Sequence, residues 1–209
     1  EVELYCGSVP EEAKIACLQE HSRATRFGEV CLSSVVSATK ILLSDSRLNT
    51  DLADACKADL LNLCKPIMRS LYARRTLGAE IECLISNEQK IQSPDCVAEV
   101  RKSSRTLTLF PSVNSPLLAE CKVQFIDMCS VQGELLPDSL LLPCMRERRE
   151  NFTGACRDKT LALEAMIHRE VDYNAELLMA CSAELETVCR HVPSSEQLRC
   201  LTMHMQQPT

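Results

Sequence analysis

The residues of this chain with the most obvious chemistry are its fourteen cysteines, and their spacing decides which chemistry that is. No two lie closer than eight residues, so the short C-x-x-C pairs of structural zinc sites and of thioredoxin-like redox sites are missing. Fourteen cysteines in 209 residues fit disulfide cross-links made in an oxidising compartment. Four histidines complete the set of potential ligands and bases. His21 and His204 stand four residues after a cysteine, as Asn87 does, which points to a structural role, and His168 and His191 have no evident partner set. The patterns G-x-S-x-G, H-E-x-x-H and the P-loop do not occur. The expectation is a non-enzymatic chain with no metal and no cofactor.

The elements that must position these cysteines repeat. NTDLADACKADLLNLC runs from Asn49 to Cys64, NSPLLAECKVQFIDMC from Asn114 to Cys129, and NAELLMACSAELETVC from Asn174 to Cys189. Recurrence at a fixed interval is the mark of a repeat architecture. Each copy reads as one helix, with Asn49, Asn114 and Asn174 as N-caps and Asp51, Pro116 and Glu176 in the first turn. Leu48, Val113 and Tyr173 before the caps, with Ala53, Leu118 and Leu178 after them, have the spacing of a hydrophobic staple. The apolar stripes (Leu52, Cys56, Leu60, Leu63, Cys64 and their counterparts) follow the helical period, so both cysteines of each copy face the core. Val2, Tyr5 and Cys6 match the end of the same helix.

A third cysteine follows each copy after a loop of 10, 18, 14 or 10 residues: Cys17, Cys83, Cys144 and Cys200. Variable length places that loop on the surface. A short helix carries the third cysteine, and Pro143 before Cys144 predicts that this helix starts late or kinks. A fourth cysteine, Cys31, Cys96 or Cys156, opens a longer helix, with Ser93-Pro94-Asp95 a good helix start before Cys96. From each fourth cysteine to the next first one there are 24 intervening residues in all three cases, the constancy of a fixed helical hairpin. The fold expected is all-α, a disulfide-stapled helical repeat array with about three helices in roughly sixty residues. The unit limits are 1–45 for a partial repeat, 46–110 and 111–170 for complete ones, and 171–209 for a second partial one.

Composition agrees. Aromatics are 3% of the chain, tryptophan is absent, and the hydrophobic share reaches 45% only with cysteine counted. Small modules that bury little apolar surface need covalent links.

Four cysteines allow three connectivities. The second cysteine closes the repeated helix and the third opens its antiparallel partner, while the first lies about 12 Å further down at 1.5 Å per residue. That geometry favours nested pairing: Cys6 with Cys17, Cys64 with Cys83, Cys129 with Cys144, Cys189 with Cys200, Cys56 with Cys96, and Cys121 with Cys156. Cys31 and Cys181 are then unassigned, with mates expected beyond the two ends. The competing scheme joins Cys31 to Cys56, Cys96 to Cys121 and Cys156 to Cys181, and leaves no cysteine over.

The segments SDSRLNTDLADACKADLLNLC, CLQEH from Cys17 to His21, and SPDC before the fourth helix resemble the cysteine-rich repeat of the Golgi apparatus cysteine-rich protein family, also described as cysteine-rich fibroblast growth factor receptors and E-selectin ligands. The likeness covers nearly the whole chain. Arg148 departs from the His or Asn found four residues past the third cysteine, and the loop after Cys64 is long. The resemblance implies a luminal or extracellular array in the Golgi or at the cell surface, on a membrane-anchored protein, with a growth factor or a lectin as partner. Ligand contacts are not part of the repeat motif.

Other features concern the surface. A formal charge of −6 disfavours nucleic acid and suits basic protein partners. Lys65, Arg69, Arg74, Arg75, Arg101, Lys102 and Arg105 form a possible basic patch, with a solvated helical surface as the plainer reading. Asn151-Phe152-Thr153 is a glycosylation sequon. No run is apolar enough to span a bilayer and no signal peptide is visible, so the chain reads as a mature soluble protein or as a piece of a longer one. A saposin-like lipid binder, also helical and cysteine-stapled, is the alternative function.

Overall fold

The computed structural model describes residues 1–24, 26–69, 77–169 and 171–205, apart from the side chains of residues 172, 175 and 195. The described residues are overwhelmingly helical. The helices are α1 (Val2–Cys6), α2 (Lys14–His21), α3 (Glu29–Ser44), α4 (Thr50–Leu63), α5 (Lys65–Arg69), α6 (Ala79–Ser86), α7 (Pro94–Leu109), α8 (Ser115–Met128), α9 (Asp138–Arg148), α10 (Gly154–Arg169), α11 (Ala175–Ala180), α12 (Ser182–Thr187) and α13 (Ser194–Met205). The chain divides into two compact units, Glu1–Cys96 with Val113–Ser115, and Val97–Ser112 with Pro116–Thr209.

In the first unit α4 starts where expected, because the Asn49 side-chain oxygen accepts the Leu52 N–H at 3.2 Å. Its inward stripe of Leu52, Cys56, Leu60 and Cys64 is buried. Ser93 accepts the Cys96 N–H at 3.3 Å and so caps α7. Leu48, expected to staple the start of α4, is 51% exposed, whereas Tyr173 in the corresponding place of the third copy is fully buried.

In the second unit α8, α9 and α10 enclose a core of Leu117, Cys121, Phe125, Cys129, Leu141, Leu142, Met145, Phe152, Cys156, Leu163 and Ile167. Phe125 and Phe152 meet edge to face at 5.3 Å between centroids. Burying each such side chain is worth about 1.5–3 kcal/mol, so two rings and several leucines carry much of this small core. A smaller cluster of Val171, Leu185, Cys189 and Leu201 holds α12 and α13.

Three local readings change. Pro143 neither delays nor ends its helix: α9 begins at Asp138 and runs through Pro143 to Arg148. The loop between Cys129 and α9 contains a two-residue antiparallel hairpin, β1 (Ser130–Val131) with β2 (Glu134–Leu135), paired Ser130 to Leu135 and Val131 to Glu134. It turns on Gln132 and Gly133, at φ of 55° and 82°, the left-handed region that a tight hairpin demands. The third copy is not one helix. It breaks at Cys181 (φ −114°, ψ 21°) into α11 and α12, although the backbone bonds from Cys181 to Leu177 and from Leu185 to Cys181 persist. The equivalent Cys56 and Cys121 are fully buried and held by disulfides, and Cys181 is neither, so less pins its backbone to the helical path.

Candidate functional site

The cysteines of α1 to α13 pair in the nested order. Cys6–Cys17, Cys64–Cys83, Cys129–Cys144 and Cys189–Cys200 join the end of each repeated helix to the helix that carries the third cysteine, with Cα atoms 5.9–6.0 Å apart. Cys56–Cys96 and Cys121–Cys156 join the middle of the repeated helix to the start of the fourth-cysteine helix, at a closer 4.7 Å. Cys31 and Cys181 are free thiols, each half-buried. The alternative scheme is excluded, because Cys56 and Cys121 already bond to cysteines downstream of them.

A second device accompanies the disulfides, and sequence reasoning missed it. Five residues before the second cysteine of each copy stands a carboxylate or carboxamide: Glu1, Asp59, Gln124 and Glu184. In three copies its side chain accepts backbone N–H groups just before the fourth-cysteine helix. Asp59 accepts from Gln92 at 3.1 Å and Ser93 at 3.4 Å, Gln124 from Thr153 at 2.9 Å, and Glu1 from Gly28 at 3.0 Å. Gln124 also donates to the Thr153 carbonyl at 3.3 Å. These N–H groups sit at or beside a helix start, where no intrahelical acceptor exists, so the latch satisfies donors that would otherwise need water. Glu184, the fourth member, is exposed and makes no side-chain hydrogen bond among the described residues. Its recurrence at a fixed offset from cysteine was the available signal.

A third tie, from two residues past the third cysteine to eight past the fourth, crosses two of the hairpins; in the repeat between them the same register holds Ile85 and Ser104, whose buried hydroxyl has no hydrogen-bond partner among the described residues. In the first unit the buried Gln19 amide donates to Thr39 at 2.8 Å. In the second, Arg146 donates to Glu164 at 3.0 Å and reaches Glu176 at 3.4 Å, while His168 lies 3.3 Å from Glu164. The same register thus holds a neutral pair in one unit and a charged one in the other.

The remaining candidates take structural places. His21 stacks on Tyr5 at 5.1 Å, and Asn87 donates to the Cys83 carbonyl at 3.0 Å. His204 lines an open groove of about 370 Å³ with Val188, Val192, Glu196, Arg199, Cys200 and Met203, a mixed lining rather than an acyl-chain tunnel. Asn151 is exposed, whereas Phe152, inside the same sequon, is core. Arg69 lies on α5, and Arg101, Lys102 and Arg105 lie on α7, where Lys102 is 3.6 Å from Glu99; Arg74 and Arg75 lie outside the described residues. The side-chain hydrogen bond from Arg47 holds the Asp45 carboxyl below the usual aspartate range, and Asp45 in turn accepts the Arg47 N–H at 3.0 Å. Among the described residues no group of three or more His, Cys, Asp or Glu is arranged to hold a metal ion, and no helix is long and apolar enough to cross a membrane.

A family model described as a cysteine rich repeat matches residues 29–92. Over that stretch the sequence is similar to that repeat. Across 88% of this chain the sequence is 22% identical to Golgi apparatus protein 1 of Homo sapiens, and equally to that of Gallus gallus and of Mus musculus. The chain spans only 16% of the length of each of these relatives. No solved structure matches. The limits of the matched repeat give the disulfides a meaning. It contains Cys31, Cys56, Cys64 and Cys83 but ends before Cys96, so the Cys64–Cys83 bond is internal to the matched stretch and the Cys56–Cys96 bond leaves it. The latch from Asp59 to Gln92 and Ser93 falls at the same limit.

Proposed function

We propose that this chain is a non-enzymatic protein-binding scaffold of the secretory pathway or cell surface, in which repeats 1–45, 46–110, 111–170 and 171–209 set the spacing of exposed helical faces. The observation that carries this reading is the use of its chemistry: twelve of fourteen cysteines are consumed in disulfides. Glu1, Asp59 and Gln124, which recur at one register position, are likewise spent on latching helices to one another. Six disulfides suit an oxidising lumen or the exterior. Similarity to Golgi apparatus protein 1 supports the Golgi lumen as one such place. A partner among secreted or cell-surface proteins, a growth factor or a lectin, follows from the family resemblance, and the acidic balance of −6 favours a basic one. Exposed Asn151 is the proposed glycan attachment point.

The test is binding of the oxidised chain to a panel of secreted basic proteins and lectins by surface plasmon resonance. Saturable binding that is lost after reduction supports the scaffold reading. Failure to bind any of them, or turnover of a small substrate dependent on Cys31 or Cys181, overturns it.

A further inference from the structure

The repeat formed by α8, α9 and α10 shows what a complete unit buries, and the repeat formed by α11, α12 and α13 leaves the same positions open. Two residues before the third cysteine, Ile81 and Leu142 are each 2% exposed, but Leu198 is 42% exposed. Leu117 is 2% exposed, while Leu177 at its register position is only half-buried. Cys121 is bonded to Cys156 and fully buried, while Cys181 is free and half-buried. Gln124 is latched to Thr153 ahead of α10, while Glu184 at the same position has no partner among the described residues. Four features, two apolar, one thiol and one hydrogen-bond acceptor, each correspond to a position that the complete unit buries in the core it shares with α10, bonds to Cys156 or latches ahead of α10.

We propose that the face of α11, α12 and α13 docks a helix of the kind that begins at Cys156, supplied by another cysteine-rich repeat, and that Cys181 locks it by a disulfide. The occupant is specified by what α10 presents: a cysteine in the first turn, a free backbone N–H three residues before it, and inward residues like Leu163 and Ile167. A second copy's α3 does not meet this description. Its Val35 and Thr39 are buried in their own unit, Gln19 bonds Thr39, and the N–H of Gly28 is taken by Glu1. Locking is a two-electron oxidation with a disulfide such as oxidised glutathione as acceptor. The Cys181 thiolate attacks one glutathione sulfur and releases a glutathione thiolate. The incoming cysteine thiolate then displaces the second, so one new disulfide forms as one glutathione disulfide becomes two thiols.

The experiment uses Cys31→Ser, in which Cys181 is the free thiol, and a peptide of residues 150–169 whose Cys156 carries a thionitrobenzoate leaving group. Attack by Cys181 releases the coloured thiolate without any other oxidant. A docked thiol meets a high effective concentration of its target, so the native peptide should react at least about tenfold faster than a scrambled peptide with the same cysteine position. Mass mapping should then find Cys181 joined to Cys156 of the peptide. Glu184→Gln should keep the gain, as Gln124 does in the neighbouring repeat, and Glu184→Ala should reduce it. Equal rates for native and scrambled peptides, adducts at other cysteines, or a gain untouched by Glu184→Ala would overturn the proposal.

Discussion

The backbone N–H of Thr153 donates to Oε1 of Gln124 at 2.9 Å, three residues before Cys156 and three after Cys121, the two half-cystines of one bond. Disulfide and hydrogen bond therefore fix the same junction, one covalently and one by satisfying the start of α10. The pattern recurs at Asp59, where burial makes it more consequential: Asp59 is 3% exposed and Gln124 is at the surface.

Replacing Asp59 by Ala leaves the N–H groups of Gln92 and Ser93 without their acceptor and should cost about 2–3 kcal/mol, against about 1 kcal/mol for Gln124→Ala. Asp59→Asn, which keeps one accepting oxygen, should fall between. Urea unfolding midpoints with disulfides intact would check the order; equal losses at 59 and 124 would remove burial as the deciding factor.

Removing the Cys56–Cys96 bond as a double serine variant should destabilise more than removing Cys6–Cys17. The sequence separations are 40 and 11 residues, and loop-closure entropy puts the difference at about 1 kcal/mol. Thermal and chemical unfolding of both variants would measure it. The reverse order would show that strain or packing, not chain entropy, sets the cost.

Arg146 and Glu164 occupy the register of Gln19 and Thr39. Glu164 is only 12% exposed at the side chain, so Arg146→Gln alone strips a buried carboxylate of its main partner. Arg146→Gln with Glu164→Thr rebuilds the neutral pair. The double variant should be more stable than the single Arg146→Gln by about 1–2 kcal/mol, a non-additivity that a double-mutant cycle reads directly.

Acid should release the cap of the turn that precedes α4. Asp45 titrates below its ordinary value because Arg47 hydrogen-bonds the carboxylate, so the folded state binds this proton less readily than the unfolded chain. Its contribution is complete above the usual aspartate range and disappears as pH falls through the lowered folded value. Arg47→Ala should move the Asp45 titration, followed by carboxyl NMR, up toward the ordinary range. An unmoved titration would show that the turn N–H, not the guanidinium, holds it down.

Helical class and the burial of Cys56, Cys64, Cys121 and Cys129 were legible in the sequence, because a period of 3.6 puts Leu52, Cys56 and Leu60 on one face whatever surrounds them; Cys181, expected to face the core in the same way, is only half-buried. Helix rise and hairpin direction favoured the nested pairing, but the scheme joining each fourth cysteine to the next first one stayed open until the fold placed Cys56 against Cys96 and Cys121 against Cys156. What the tertiary structure decided lies where the period stops. Phe152 sits in a loop inside a sequon, with no helical pattern to mark it, yet packing on Phe125 makes it core. Glu1, Asp59 and Gln124 read as ordinary polar residues until the fold brings a helix start within hydrogen-bond reach. The break at Cys181 has no local cause either, since its sequence matches two unbroken copies; the copies differ in what lies against that face, and a single helix's pattern carries no record of its neighbours.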